Sequence, residues 1–176
     1  MIKKSIKEKI KEHYFINPNS KLRVREIERK LRLPLPSVIN YSKELEKEGM
    51  LTTIKTGNVV FYTADKLNPN FLLEKKLFNI KSLYQSGLIN FLKIELSNPS
   101  IIVFGSYSKG EDTEDSDIDL FIESPSRKEI NLNEFENKLK RHIQMFRHNK
   151  ITEIKNKDLI NNIINGVLLN GFVEVL

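Results

Sequence analysis

Apolar positions in the first third of the chain recur first with the period of an α-helix and then with that of a β-strand. Three groups at helical spacing predict three helices: Ile6, Ile10, Tyr14 and Phe15; Val24, Ile27 and Leu31; and Val38, Tyr41 and Leu45. Pro36 suits the first turn of the third helix, and Gly49 is placed to end it. Two short strand-like runs then flank Gly57-Asn58, which predicts a β-hairpin.

A polar segment, Lys66–Asn70, interrupts this pattern, and helical spacing returns after it. The apolar positions beyond it predict one long helix, or two that Gly87 divides, with a buried stripe made of Phe71, Leu72, Leu77, Ile80, Leu83, Tyr84, Leu88, Phe91, Leu92 and Leu96. We therefore expect a first domain over 1–66, a helical packing region over 67–98 and a second domain over 99–176.

The second domain mixes strand-like and helical segments. Its predicted elements are strands at 101–104, 118–122 and 142–146, a helix through Leu132, Phe135 and Leu139, a helix through Leu159, Ile163, Ile164 and Val167, and a terminal strand over 171–176. This succession predicts a small mixed sheet with helices on one side. Together with the helices and hairpin before it, the whole chain is expected to be an α+β protein.

Positive charge is concentrated at the beginning of the chain. Residues 1–66 carry 15 Lys and Arg against 8 Asp and Glu, a net charge of +7, whereas the rest carries 14 against 15. A basic module joined to a near-neutral one predicts a polyanionic partner for the first and a separate task for the second. The chain has no cysteine, no apolar run of transmembrane length and no signal-peptide pattern at its start, so we expect a cytoplasmic protein without membrane contact.

A Gly-Ser pair and an Asp-x-Asp pair lie between two of the predicted strands. Gly105 and Ser106 end the first apolar run, and Asp117 and Asp119 open the second about ten residues later. Strand residues alternate between faces, so the two carboxylates point the same way and can hold Mg²⁺. Gly105 allows a close backbone approach, and the N–H groups of a turn that opens a helix favour phosphate. Each half is common in proteins, and the combination between two strands is what makes the pattern specific.

This arrangement resembles the DNA polymerase β-like nucleotidyltransferases, most closely their smallest branch, the minimal nucleotidyltransferases. The resemblance implies that Asp117 and Asp119 are catalytic and hold Mg²⁺ or Mn²⁺. It also implies that Gly105 and Ser106, with Lys109 nearby, bind the phosphates of a nucleoside triphosphate.

The family also has a third carboxylate on a neighbouring strand, and this chain departs from that pattern. The corresponding slot is Gln144, whose neutral amide cannot act as a base. Glu123 is expected to lie about 13 Å beyond Asp119, too far to share a metal ion. The alternatives are slow catalysis, help from the acidic loop residues Glu111, Asp112, Glu114 and Asp115, or a domain that only binds nucleotide. The three histidines have no ligand-like spacing.

The N-terminal order of three helices and a hairpin is that of a winged helix-turn-helix. Residues 24–31 and 45–51 resemble the winged-helix regulators of bacteria and archaea. The resemblance implies that the third helix enters the major groove of double-stranded DNA. The expected contacts are Ser37, Asn40, Tyr41 or Ser42, and Lys43 on that helix, and Lys55 at the wing. A protein-docking role is the alternative, since Glu44, Glu46 and Glu48 make the end of that helix acidic.

Three functions are compatible with this combination. The first is an enzyme that transfers a nucleoside monophosphate to a hydroxyl of a protein or small molecule. The second is a DNA-binding transcription regulator whose second domain senses a nucleotide or docks a partner. The third is an antitoxin that modifies or masks a partner toxin. A homodimer is expected if the winged helix reads two half-sites.

Overall fold

The computed structural model describes residues 4–174, and the chain divides into two compact units between Phe78 and Asn79. The N-terminal unit contains α1 (Ile6–Ile16), α2 (Val24–Leu31), α3 (Leu35–Lys47), β1 (Leu51–Thr56), β2 (Val59–Ala64) and the first part of α4 (Pro69–Gln85). The C-terminal unit contains the rest of α4, α5 (Leu88–Glu95), β3 (Ser100–Phe104), α6 (Gly105–Lys109), β4 (Ile118–Glu123), α7 (Asn133–Leu139), β5 (Ile143–His148), a 3₁₀ turn (Ile151–Glu153), α8 (Lys157–Ile164) and β6 (Val167–Asn170). The helical region predicted over 67–98 is thus divided between the two units.

Local signals place the N-terminal elements where the sequence predicts them. Ser5 caps α1, because its hydroxyl accepts a hydrogen bond from the Glu8 amide while the Glu8 carboxylate accepts one from the Ser5 amide. Pro36 lies in the first turn of α3, and a turn at Gly57-Asn58 joins β1 to its antiparallel partner β2. The predicted order of three helices followed by a hairpin is confirmed.

The N-terminal unit encloses an apolar core of its own. Its fully buried members include Ile10, Tyr14, Ile27, Val38 and Leu45. The Tyr14 hydroxyl donates to the Tyr62 carbonyl at 3.1 Å, which ties α1 to β2. Leu22 and Tyr62 exchange two backbone hydrogen bonds in an isolated antiparallel bridge, so the segment before α2 pairs with the hairpin.

The C-terminal unit is built on a four-stranded mixed sheet of order β5-β4-β3-β6, in which only β4 and β5 are parallel. One face of the sheet packs against α5 and α7 through residues such as Ile101, Val103 and Leu120. The other face packs against the 3₁₀ turn and α8 through Ile102 and Phe121. The prediction of helices on one side is therefore wrong, because consecutive apolar residues in a strand need cover on both faces.

The last strand lies earlier in the chain than predicted. β6 spans Val167–Asn170, residues 171–174 form no strand, and 175–176 lie outside the described residues. Val167, predicted to belong to the last helix, opens β6 instead. The reason is Gly166, where a Cβ atom would lie 2.5 Å from the Val103 carbonyl oxygen, so the chain here can pass close to β3 only without a side chain.

The predicted helical stripe after residue 70 is confirmed as two helices, with Gly87 between them at φ +86°. Two of its members are not in the core, since Leu77 is 59% exposed and Tyr84 is 49% exposed. Tyr84 is held at the surface by its hydroxyl, which donates to the Leu169 carbonyl at 2.7 Å.

No helix within residues 4–174 has both the length and the apolar character needed to cross a membrane. Even α4, with 17 residues, carries several lysines.

Candidate functional site

The Gly-Ser turn and the Asp-x-Asp pair meet at one end of the central strands. Phe104, the last residue of β3, is the antiparallel partner of Asp119 on β4, so the chain leaves β3 directly beside this carboxylate. Gly105 follows with φ +69°, and a Cβ atom placed on it would lie 2.4 Å from Asp119 Oδ2. Two observations favour glycine at position 105: the backbone is left-handed, and a Cβ atom would displace the Asp119 carboxylate.

The two carboxylates of this site have no positive partner in the part of the chain that the structure describes. Among residues 4–174, the side-chain carboxylate of neither Asp117 nor Asp119 accepts a hydrogen bond or forms an ion pair. Asp117 is exposed and Asp119 is half-buried. Burial, with a further contribution from the charge of Asp117, raises the pKa of Asp119 above its usual value. The site therefore holds adjacent negative charges that a bound cation would stabilise.

Ser106 and Lys109 lie on α6, directly after Gly105. The Ser106 hydroxyl has no hydrogen-bond partner in the described residues, and Lys109 is exposed without an ion pair there. The short helix is fixed by other contacts: Ser108 Oγ donates to the Gly105 carbonyl at 2.9 Å, and Asn79 Nδ2 donates to the Tyr107 carbonyl at 2.9 Å. A well-anchored turn therefore presents one hydroxyl and one ammonium group.

Gln144 occupies the position next to Asp119 on the neighbouring strand. The parallel register of β4 and β5 pairs Asp119 with Gln144, as the sequence pattern predicts, and the Gln144 side chain is exposed. Glu123 is engaged elsewhere, because its carboxylate accepts a hydrogen bond from the Ile151 amide at 2.8 Å. Neither side chain supplies a third carboxylate beside Asp119.

The acidic loop between α6 and β4 separates into a buried part and an open part. Asp112 is 2% exposed, accepts a hydrogen bond from Asn79 Nδ2 at 2.7 Å and lies 3.7 Å from Arg141 Nη2. These contacts anchor the loop and give Asp112 a structural role. Glu111 and Asp115 are exposed, whereas Glu114 is partly buried.

A cleft of about 480 Å³ opens beside Asp117. It is lined by Glu114, Asp115, Ser116, Asp117, Glu136, Asn137, Lys140, Arg141 and His142. Within it, His142 Nδ1 lies 2.6 Å from Glu136 Oε1. Sequence reasoning missed this pair: His142 stands 25 positions after Asp117, and only the parallel pairing of β4 with β5 brings the two residues to one cleft.

The residues predicted to contact DNA differ in exposure. Asn40 and Lys43 on α3 and Lys55 on β1 are exposed, whereas Ser37 is partly buried. Of the two alternatives for the next position, Ser42 is fully buried with an unpaired hydroxyl, and Tyr41 packs partly against the core. Ser42 cannot face a ligand, because the helix directs it inward with Val38 and Leu45.

The acidic residues at the end of α3 have partners within the N-terminal unit. Lys7 Nζ contacts Glu44 Oε1 at 2.7 Å and Glu48 Oε1 at 2.6 Å, and these hydrogen bonds raise the pKa of Lys7. Glu46 accepts a hydrogen bond from Thr53 Oγ1 at 3.0 Å. Part of the negative charge on α3 is therefore offset by α1.

Comparison with known families identifies one part of the chain. Residues 86–167 match the family model described as "Nucleotidyltransferase domain", which covers just under half of the 176 residues. The matched range contains the Gly-Ser turn, both aspartates, Gln144 and the cleft, and it supports the nucleotidyltransferase superfamily for this segment. No curated protein matches the chain.

Proposed function

We propose, from the nucleotidyltransferase domain matched over residues 86–167, that this protein transfers a nucleoside monophosphate from a triphosphate to a hydroxyl of a protein or small molecule. Pyrophosphate is the second product. The observation that carries the proposal is the close approach of Gly105 to Asp119, which brings a Gly-Ser turn against two carboxylates that have no positive partner in the described residues. The cation that accompanies a triphosphate complements the negative charge of such a site, whereas an uncharged ligand would leave the repulsion between the two carboxylates unrelieved.

The residues of the site have distinct roles in this reaction. Ser106 binds the phosphates through its hydroxyl, and Lys109 adds a positive charge close to them. Asp117 and Asp119 hold Mg²⁺, with Mn²⁺ as a substitute. Two carboxylate ligands suit Mg²⁺, which takes its other ligands from water and substrate phosphates, and the described residues contain no cluster of three or more acidic or histidine ligands. The bound cation would stabilise the charge on the entering and leaving oxygens.

Calorimetric titration with ATP, GTP, CTP and UTP in the presence of Mg²⁺ tests nucleotide binding. We expect at least one triphosphate to bind the parent protein and to lose its binding in the double variant Asp117→Ala/Asp119→Ala. The matched control is Glu129→Ala/Asp158→Ala, which removes two exposed carboxylates outside the site. Equal binding by the parent and the aspartate variant would show that the site is misassigned.

A second function is favoured by Gln144 and by the N-terminal unit. In this alternative the protein is a DNA-binding regulator, and its C-terminal unit only binds a nucleotide or a partner. Support comes from the net charge of +7 over residues 1–66, from the helix order and from the isolated Leu22–Tyr62 bridge, which pairs the segment before α2 with the hairpin. Asn40, Lys43 and the partly buried Ser37 would face the major groove of the DNA, and Lys55 would contact the DNA phosphate backbone. Lys55→Ala should then reduce the salt dependence of DNA binding by about 0.9 in logarithmic slope.

The two functions are separated by one labelling experiment. The protein is incubated with Mg²⁺, α-³²P-labelled nucleoside triphosphates and a cell lysate, and label is followed on protein, on RNA and on small-molecule products. Transfer that Asp119→Asn abolishes identifies the enzyme. Absence of transfer with all four nucleotides, combined with salt-dependent binding to duplex DNA, identifies the regulator.

A further inference from the structure

The proposed transfer needs a group that removes the proton of the acceptor hydroxyl, and this inference rests on that proposed function. Gln144 holds the position beside Asp119 and has no basic atom. Asp112 is buried in a hydrogen-bonded network, and Glu123 is bound to the Ile151 amide. His142, which lines the cleft beside Asp117 at the same end of the sheet, is a further candidate for this base.

His142 and Glu136 form a hydrogen-bonded pair at that end. Glu136 Oε1 lies 2.6 Å from His142 Nδ1 and also accepts the Ile143 amide at 2.9 Å, so the carboxylate is fixed from two sides. An ionised carboxylate only accepts hydrogen bonds, so the proton of the neutral imidazole lies on Nδ1 and Nε2 carries the lone pair. Nε2 makes no hydrogen bond to the described residues, and the side chain is 66% exposed.

The position of this pair relative to the aspartates is set by backbone pairing. The Ile118 amide donates to the His142 carbonyl at 2.9 Å, so Asp117 and His142 precede adjacent strands at the same end of the sheet. Both residues line the cleft of about 480 Å³, which is large enough for a small hydroxyl compound or a protruding side chain. Lys140 and Arg141 line the same cleft together with four carboxylates, and Arg141 is paired with the buried Asp112.

We propose that His142, oriented by Glu136, is the general base of the transfer reaction. Nε2 takes the proton of the acceptor hydroxyl while the hydroxyl oxygen forms a bond to the α-phosphorus of the triphosphate. The bond from that phosphorus to the bridging oxygen breaks, and pyrophosphate leaves with the electron pair. The imidazolium donates to Glu136 until its proton passes to solvent. The base thus lies directly before the strand that bears Gln144, on the side of the cleft that Asp117 also lines.

The test compares His142→Gln with His148→Gln, a matched control six positions further along the chain, at the end of β5. Transfer from α-³²P-labelled triphosphates is measured as above, and triphosphate affinity is measured by calorimetry. We expect His142→Gln to lower the transfer rate by about 10²- to 10⁴-fold with unchanged triphosphate affinity, and His148→Gln to match the parent. Glu136→Gln, which keeps an oxygen acceptor for Nδ1, should lower the rate less than His142→Gln.

Chemical rescue separates a base from a residue that only supports the fold. Free imidazole should restore part of the transfer rate of His142→Ala, because the vacated cleft admits it, and should leave His148→Ala unchanged. A parent that transfers label while His142→Gln keeps the full rate overturns this inference and leaves the proposed function standing. A parent that transfers no label with any of the four triphosphates overturns both.

Discussion

Gly105 connects the two halves of the sequence motif at the scale of single atoms. Its left-handed backbone turns the chain out of β3, and its missing side chain leaves room for Asp119 Oδ2. Gly87 provides a comparison within the same unit, since it has φ +86° but a Cβ atom placed on it would meet no other atom within 4 Å. The two glycines share a left-handed backbone, but only at Gly105 would a Cβ atom also clash with another side chain, that of Asp119.

We expect Gly105→Ala to abolish triphosphate binding, whereas Gly87→Ala should retain it. Both variants strain a left-handed residue, at a cost of about 1 kcal/mol or more, so both should lower the melting temperature. Only Gly105→Ala also displaces the Asp119 carboxylate. Calorimetry and thermal unfolding of the two variants check this, and triphosphate binding by Gly105→Ala equal to that of the parent would contradict the proposed coupling.

The site also shows which residues a sequence can reveal. Gln144 could be placed beside Asp119 in advance, because the apolar residues on either side of it fix its face of the strand. His142 could not, because nothing within five positions of it points to Glu136 in α7 or to Asp117. Its neighbourhood depends on the parallel pairing of β4 with β5, which no local pattern specifies.

Helix α1 influences the surface of α3 through Lys7. If α3 contacts DNA, Lys7→Met removes one positive charge and also releases the carboxylates of Glu44 and Glu48 next to the expected interface. Lys9→Met is the matched control, since Lys9 is exposed on the same helix and forms no ion pair in the described residues. The ion pairs themselves contribute only about 0.2 to 1 kcal/mol each to stability, so both variants should fold.

We expect Lys7→Met to weaken duplex DNA binding more than Lys9→Met does, because only the first variant adds unscreened negative charge to α3. Fluorescence anisotropy with labelled duplex DNA at several salt concentrations measures the difference. Equal losses in the two variants would indicate that α3 lies away from the DNA. No binding to micromolar DNA by the parent would favour a protein-docking role for the N-terminal unit.

Secondary structure was predictable where a local signal marks the ends of an element. The capped start of α1, the Gly57-Asn58 turn and Gly87 each identify a boundary on their own. The last strand was misplaced because residues 159–167 continue a helical spacing, and the break at Gly166 reflects the approach of β6 to β3. Helices on both faces of the sheet likewise follow from long-range packing, which short apolar runs do not reveal.

At the scale of the whole molecule, the two units have separate apolar cores and separate expected ligands. A ligand that binds only the folded form of one unit stabilises it by about 2.7 kcal/mol at a hundred times its dissociation constant. We therefore expect two thermal transitions. Mg²⁺ with a bound triphosphate should raise the midpoint temperature of the C-terminal unit, and duplex DNA should raise that of the N-terminal unit. Differential scanning calorimetry checks this, and one transition that both ligands shift equally would contradict independent units.

The close approach of Gly105 to Asp119 also has a consequence for the evolution of such sequences. Every base change that replaces this glycine introduces a Cβ atom 2.4 Å from the carboxylate oxygen, so a lineage that keeps both aspartates can still lose the site through this one codon. Glycine at position 105 is therefore a criterion for recognising relatives whose site is intact. A lineage without it would be free to let Asp117 and Asp119 drift as well.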